Sequence, residues 1–233
     1  MLVSIIFPCY NESQNLKHLV KILDSFPLDY PVEFIIVENG STDNSRQIVQ
    51  NIKSPRIHKV YIDQNQGYGY GIIQGIKAAK GNYIGWMHSD LQYNPLDLTA
   101  FIDYIKNHPN QKCFLKGKRS NRPFLDRFIT FNMGILNSII FKHKMREIMS
   151  SPTIAPKTLF KSLTNFPLDF SIDIYIYVLA IQDHLNIVHL PINLKKRQSG
   201  YSSWNLGLKS RFKMSKTLLG DSFKIKHNLS KKS

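Results

Sequence analysis

The stretch VSIIFPCYNE, residues 3–12, shows the pattern that decides the fold of this chain. An apolar, β-forming segment ends near a proline, and a segment with apolar residues at helical spacing follows at 11–26. Three further apolar segments, 32–37, 57–62 and 82–87, are each followed by a helical pattern, at 41–52, 67–80 and 94–108. Strands that alternate with helices form parallel sheets, so the sequence predicts an α/β fold with a mostly parallel central sheet and helices on both faces.

The second half of the chain is less regular. It contains a strand at 114–119, an apolar helix at 124–141, a strand-like stretch broken by two prolines at 146–160, a helix at 171–184 and an extended segment at 186–196. The sequence has no internal repeat and no low-complexity linker, which favours one domain over residues 1–200. This domain divides into halves at 1–110 and 111–200, and a basic, amphipathic tail follows at 201–233.

Charge is spread unevenly along the 233 residues, whose formal net charge is +15. Residues 1–100 contribute −1, residues 101–194 contribute +6 and residues 195–233 contribute +10. A basic C-terminal part favours an anionic partner such as a phosphate-bearing substrate, anionic lipid or nucleic acid, and a merely solvated basic surface is the alternative. Two cysteines give no disulfide framework. No apolar run approaches the roughly 20 residues that cross a bilayer, so we expect a cytoplasmic protein, peripheral on a membrane at most.

Polar residues follow the first two predicted strands, where ligands bind in open parallel sheets. Tyr10 and Glu12 can hold a base and a ribose, although Glu12 is also favourable at a helix start. Glu38 and Asn39 can accept a hydrogen bond from the imino N–H of a nucleobase or bind ribose hydroxyls, and Asp43 can cap the next helix.

Two enzyme classes are disfavoured by the same regions. Gly67, Gly69 and Gly71 follow the third strand, whereas the glycines that bind a dinucleotide follow the first strand, so a Rossmann dehydrogenase is excluded. A sugar nucleotidyltransferase needs a Gly-rich basic loop after strand one, and residues 8–13 have none. Gly71 and Gly75 are one helical turn apart and let the third helix pack closely on the sheet.

His88, Asp90 and Gln92 alternate after the fourth strand, which places their side chains on one side of an extended chain. A carboxylate and an amide oxygen together with diphosphate oxygens suit Mg²⁺, and an imidazole moves the preference towards Mn²⁺. The alternative is a polar strand end with a structural histidine.

The four motifs in this order resemble family 2 glycosyltransferases of the GT-A fold, and most of all the branch that includes polyprenyl-phosphate sugar transferases. The resemblance implies that residues 1–110 bind a nucleotide sugar and residues 111–200 bind the acceptor. It places the nucleoside at Pro8, Tyr10, Glu12, Glu38, Asn39, Asp43 and Ser89. A divalent metal would be held by Asp90, Gln92 and His88.

Two positions depart from the family pattern. The usual pair of aspartates before the second turn is replaced by Glu38 and Asn39, which leaves the base undefined. The usual first aspartate of the metal motif is His88, which leaves the metal undefined.

Basic and acidic residues of the second half also match the family. The segment RQSGYSSWN resembles a loop that closes over phosphate, and its candidates are Arg197, Gly200, Ser202 and Ser203. An acceptor phosphate would meet Arg119, Arg122 and Arg127. A hydroxyl acceptor needs a general base, for which Asp173 and then Asp169 are candidates. Helix N-terminal charge complementarity explains either aspartate equally well.

The resemblance implies an inverting glycosyltransferase that uses a UDP- or GDP-linked sugar, a polyprenyl-phosphate or cell-envelope saccharide acceptor, and Mg²⁺ or Mn²⁺. The alternatives are a degenerate, non-catalytic relative and a basic protein that binds nucleic acid or membrane. No nucleic-acid partner is expected if the resemblance holds. The tail carries an approximate helical stripe that either lies on an anionic membrane or packs on the domain: Trp204, Leu208, Phe212, Leu219 and Phe223.

Overall fold

A computed structural model describes residues 1–195 and 208–231. It contains one seven-stranded sheet in the order β3-β2-β1-β4-β6-β5-β7. The strands are β1 (Val3–Cys9), β2 (Val32–Asn39), β3 (Ile57–Ile62), β4 (Tyr83–Trp86), β5 (Cys113–Ser120), β6 (Thr153–Pro156) and β7 (Asn186–Asn193). The helices are α1 (Ser13–Asp24), α2 (Ser45–Gln50), α3 (Tyr68–Ala78), α4 (Leu98–Asn107), α5 (Phe124–Phe141), α6 (Ile172–Gln182) and α7 (Leu208–Ser230), with short 3₁₀ helices at Pro95–Asp97 and Lys157–Ser162.

The central strands are buried on both faces, which explains their continuous apolar runs. Successive residues of β1 point to opposite sides: Ile5 and Phe7 pack with α1 and α4, whereas Ile6 packs with α3 and α6. Pairs β1–β2, β1–β4, β2–β3 and β5–β7 are all parallel. The predicted α/β fold with a mostly parallel, two-faced sheet is confirmed.

The close packing predicted for α3 is also present. A side chain at Gly75 would lie 2.9 Å from Ile6 Cγ1, and one at Gly71 would lie 3.2 Å from Asn39 Nδ2. The small residues therefore allow α3 to rest against β1 and β2.

Strand β6 is the exception to the parallel order. It pairs antiparallel with β4 on one side and with β5 on the other. This strand comes from the proline-broken stretch at 146–160, whose direction local sequence does not encode. The two predicted halves of the domain thus contribute neighbouring strands to a single sheet.

Helices α5 and α7 pack on each other. The buried hydroxyl of Ser222 on α7 donates to Asn137 Oδ1 on α5 at 2.8 Å, and Leu218 and Ile225 of α7 are buried. The predicted tail helix is therefore present, and part of it packs on the domain. Phe223 is exposed, whereas Trp204 and the side chains of Leu208 and Phe212 lie outside the described residues.

Helix α5 qualifies the expectation of no membrane-crossing segment. Its 18 residues are long and apolar enough to cross a membrane by length and composition alone. Only Gly134, Asn137 and Ile140 of this helix are buried, so the helix is not enclosed in the core.

Candidate active site

A cavity of about 820 Å³ lies beyond the carboxyl ends of β1, β2 and β4. Parallel strands bring the ends of these sequence-distant segments to one edge of the sheet, as predicted. Ten predicted site residues line it: Pro8, Tyr10, Glu12, Asn39, His88, Ser89, Asp90, Gln92, Arg119 and Arg122.

Asn39 has the geometry of a ligand-binding amide. Its Nδ2 donates to the carbonyl of Gly67 at 3.0 Å, which fixes the side chain. Its Oδ1 is buried and has no hydrogen-bond partner within residues 1–195 and 208–231. A buried acceptor without a partner is costly, so this oxygen is poised to accept a hydrogen bond from a ligand. Tyr10, by contrast, is exposed at the wall of the cavity.

Glu38 and Asp43 do not line the cavity. Glu38 is fully buried, and its Oε1 accepts from the Ser41 amide at 2.6 Å while Arg46 Nη1 lies 3.7 Å from Oε2. Asp43 accepts from the amides of Ser13 and Ser45. Burial opposes ionisation of Asp43, but these hydrogen bonds outweigh it and lower its pKa. Both carboxylates therefore order the loops that carry the nearby cavity residues.

His88 belongs to an aromatic stack. Its ring centroid lies 5.4 Å from that of Tyr68 and 6.0 Å from that of Tyr93, with both rings nearly parallel to it. Phe170 extends the stack at 4.5 Å from Tyr68. Burial raises the pKa of both tyrosines, so they stay neutral phenols and hold the imidazole plane. Sequence reasoning missed this stack because its members come from three separate segments of the chain.

Asp90 lies in a tight turn beside His88. Its Oδ1 accepts from the Gln92 amide at 3.1 Å, and Leu91 between them has a φ of 57°. Within the described part of the chain, no three His, Cys, Asp or Glu side chains converge as a metal site. The donor set is one carboxylate, one imidazole and one amide, so it fits a divalent ion when diphosphate oxygens complete the coordination.

Arg119 and Arg122 place two positive charges in the cavity wall. Arg119 Nε donates to Glu147 Oε2 at 2.7 Å, so this charge is paired. Arg122 donates through Nη1 to Thr130 Oγ1 at 2.9 Å, but its buried Nε has no hydrogen-bond partner among the described residues. Burial, and then repulsion by Arg119, lowers the pKa of Arg122. An anion at this place would relieve both effects.

The other predicted acceptor residues are placed differently. Arg127 is exposed and does not line the cavity. Arg197, Gly200, Ser202 and Ser203 lie outside the described residues.

Asp173 does not line the cavity and is 4% exposed. It accepts from Trp86 Nε1 at 3.1 Å and lies 3.9 Å from Lys116 Nζ. Lys116 is itself fully buried and donates to Ile148 O and Thr153 Oγ1, both at 2.7 Å. Burial raises the pKa of Asp173 and lowers that of Lys116 to about 8, with each partner opposing the other's shift. The pair joins α6 to β5 and β6 rather than facing the cavity.

Asp169, the second candidate base, caps the start of α6. Its Oδ1 accepts from both the amide and the hydroxyl of Ser171, at 2.9 and 2.6 Å. These contacts are typical of a loop that leads into a helix.

Apolar side chains from the second half of the chain form another wall of the cavity, beside the polar Asp126, Thr130, Asn137 and Ser215. Its members were not singled out from sequence: Ile129, Met133, Ile148, Met149, Phe170, Ile174, Met214 and Leu218. The available signal was that α5 is apolar around more of its circumference than one core-facing stripe requires. A polar strand-end region, an arginine pair and an apolar wall thus share one cavity.

Comparison with known proteins identifies the family. The profile of glycosyl transferase family 2 matches residues 4–174, and the chain belongs to this family. Dolichol-phosphate mannosyltransferase of Pyrococcus furiosus is 29% identical over 153 residues, which cover 64% of this chain and 43% of that protein. Dodecaprenyl-phosphate galacturonate synthase of Rhizobium johnstonii is 30% identical over 126 residues, covering 52% of this chain and 36% of that protein. The matched segments are thus less than half of these relatives.

Solved structures share the fold. A glucosyl-3-phosphoglycerate synthase from Mycobacterium tuberculosis, in complex with Mn²⁺, UDP and phosphoglyceric acid, superposes with a TM-score of 0.71 at 16% identity. The superposition covers 97% of this chain and 78% of that one. At this identity the likeness shows the architecture, a GT-A glycosyltransferase fold, and nothing finer.

Proposed function

We propose that this protein transfers a sugar from a nucleoside diphosphate sugar to a prenyl phosphate. The observation that carries the proposal is the cavity, because it joins an arginine pair to both a polar and an apolar wall. A nucleotide sugar is polar throughout, whereas a prenyl phosphate has an anionic head and a hydrocarbon chain. The names of two relatives, both lipid-phosphate sugar transferases, support this choice of acceptor.

The donor would lie against the strand ends. Asn39 Oδ1 would accept a hydrogen bond from the imino N–H of a base, and Tyr10 would pack beside the nucleoside. A UDP or GDP carrier satisfies this geometry equally. The diphosphate would lie towards Asp90, Gln92 and His88, which would hold Mg²⁺ or Mn²⁺. When bound, the ion neutralises charge on the leaving diphosphate.

The acceptor phosphate would lie against Arg122 and Arg119. One of its oxygens attacks the anomeric carbon as the bond to the nucleoside diphosphate breaks, with inversion at that carbon. The nucleophile is already anionic, so the reaction needs no general base. This agrees with an Asp173 buried behind the cavity wall. A cell-envelope saccharide acceptor, the alternative, has a neutral hydroxyl and needs a base. We place the reaction at the cytoplasmic side of a membrane.

Donor binding is the first test. UDP, GDP and their sugars are screened by thermal shift with Mg²⁺ or Mn²⁺, and Asp90→Asn is the matched variant because its amide oxygen can still accept from the Gln92 amide. We expect one nucleotide to raise the melting temperature of the wild type, and a smaller rise for the variant. Absence of stabilisation by every donor with either metal overturns the proposal and favours a non-catalytic relative.

Acceptor identity is the second test. Transfer of labelled sugar to undecaprenyl phosphate in detergent is compared with transfer to a saccharide. Arg122→Gln is expected to lower lipid transfer about a hundredfold, whereas the exposed Arg127→Gln is expected to have little effect. Transfer only to the saccharide would contradict the lipid acceptor while leaving glycosyl transfer intact.

A further inference from the structure

Helix α5 carries an apolar face that the domain leaves uncovered. Half of the fourteen large apolar side chains exposed on the described chain lie on this one helix. We call them the α5 face: Phe124, Leu125, Phe128, Phe131, Ile135, Leu136 and Ile139. Phe124 is 80% exposed, Ile139 68% and Phe131 62%. Exposed apolar patches of this kind mark interaction surfaces.

The α5 face is continuous along the helix. Five of its residues follow one another at spacings of four, three, four and four from Phe124 to Ile139. At about 100° per residue they fall within an arc of about 80°, and Leu125 and Leu136 widen it to about 140°. The face is therefore one stripe about 27 Å long, from 18 residues that rise about 1.5 Å each.

The opposite side of α5 faces the rest of the protein. Asn137 is buried against Ser222 of α7, and Asp126 and Thr130 line the cavity. A helix with one polar, protein-bound side is unsuited to crossing a bilayer but suited to lying in its surface with the apolar side down.

The charges at the two ends of the α5 face indicate whether a second copy of the chain or a lipid surface covers it. Arg127 near the start and Lys142, His143 and Lys144 just after the end are exposed, and the single acid of the helix, Asp126, lines the cavity. A second copy packed face to face, parallel or antiparallel, would bring like charges together at both ends. Anionic lipid headgroups complement these charges.

We propose that the α5 face docks this protein on an anionic lipid surface, with its phenylalanines in the headgroup region and the flanking cations on lipid phosphates. The inference does not depend on glycosyl transfer, since it concerns binding without a donor. It places the cavity, whose wall includes the opposite side of α5, about one helix diameter from the bilayer surface.

Co-flotation of the full chain with vesicles tests the proposal, using pure phosphatidylcholine or an equimolar mixture with phosphatidylglycerol. We expect binding to the mixed vesicles that weakens with salt. Phe128→Ser/Phe131→Ser is expected to lower partitioning about tenfold or more. Leu28→Ser removes an equally apolar side chain, 87% exposed, from another surface and is expected to bind like the wild type.

Three outcomes would overturn the proposal. Failure of the wild type to bind mixed vesicles is the first. Binding that survives Phe128→Ser/Phe131→Ser but is lost in Phe223→Ser would assign docking to α7 instead. The third is a wild type that does not bind vesicles but sediments as a dimer, while the double variant sediments as a monomer. This result would mean that the α5 face binds a second copy of the chain. Circular dichroism checks that each variant is folded.

Discussion

The buried pair of Lys116 and Asp173 predicts that Asp173→Asn acts on stability rather than on chemistry. The amide keeps an oxygen for Trp86 Nε1 but removes the carboxylate 3.9 Å from Lys116 Nζ. Removing one partner of a buried ion pair costs about 3–5 kcal/mol of unfolding free energy. Lys116 retains two acceptors, Ile148 O and Thr153 Oγ1, so we expect the free energy of unfolding to fall by about 3 kcal/mol.

The pH dependence of this loss has a definite sign. Burial holds the pKa of Lys116 at about 8 in the folded protein, below its ordinary 10.5. Between these values the unfolded chain binds more protons, so the contribution of Lys116 to the free energy of unfolding rises with pH. Near pH 7 Lys116 is charged, and Asp173→Asn leaves that buried charge without its counter-ion. Asp173 raises the pKa of Lys116, so the variant loses this buried proton at a lower pH than the wild type. The deficit of the variant therefore shrinks as the pH rises towards about 8 and is smaller at pH values above it.

Urea unfolding followed by circular dichroism, near pH 7 and near pH 9.5, measures both effects. Lys116→Met is the matched control, because it removes the titrating group and with it this pH dependence. The double variant Lys116→Met/Asp173→Leu is expected to lose less stability than the two single losses combined. Wild-type stability of Asp173→Asn at pH 7, together with abolished sugar transfer, would refute this reasoning and restore Asp173 as a general base.

Three shorter predictions concern the packing and the site. Gly75→Ala forces a methyl group against Ile6 and is expected to cost about 1–3 kcal/mol in urea unfolding, whereas unchanged stability would refute the close approach of α3. Ser222→Ala leaves Asn137 Oδ1 without its donor and is expected to cost about 1–2 kcal/mol, seen as increased hydrogen exchange in α7; unchanged exchange would contradict it. Asn39→Ala is expected to weaken nucleotide binding about tenfold in calorimetry. Equal affinity of the variant and the wild type would show that the nucleobase does not bind at Asn39.

Local sequence was sufficient to predict the helices and strands and the edge of the sheet where the cavity lies. Strand ends converge in any parallel sheet, so Asn39 and Asp90 could be brought together without knowing their contacts. The glycine spacing on α3 likewise translated directly into close packing.

Side-chain partners were beyond that reasoning. Asp173 looks like an ordinary helix-start acid, and its burial depends on Trp86, which is 87 residues earlier in the chain. The stack around His88 depends on Tyr68 and Phe170, which are about a hundred residues apart. Long-range contacts of this kind follow from the assembled sheet, not from local patterns.

The reversed strand β6 also constrains how the chain is made. Strand β4 leaves the ribosome about 70 residues before β6, the strand that covers its free edge. During that interval the nascent chain presents an unpaired parallel edge, which is a template for intermolecular pairing. A fragment that stops near residue 110 would present the same edge permanently. Expression of residues 1–110 alone should therefore yield aggregates, and attempts to exchange this half between relatives should carry β6 along.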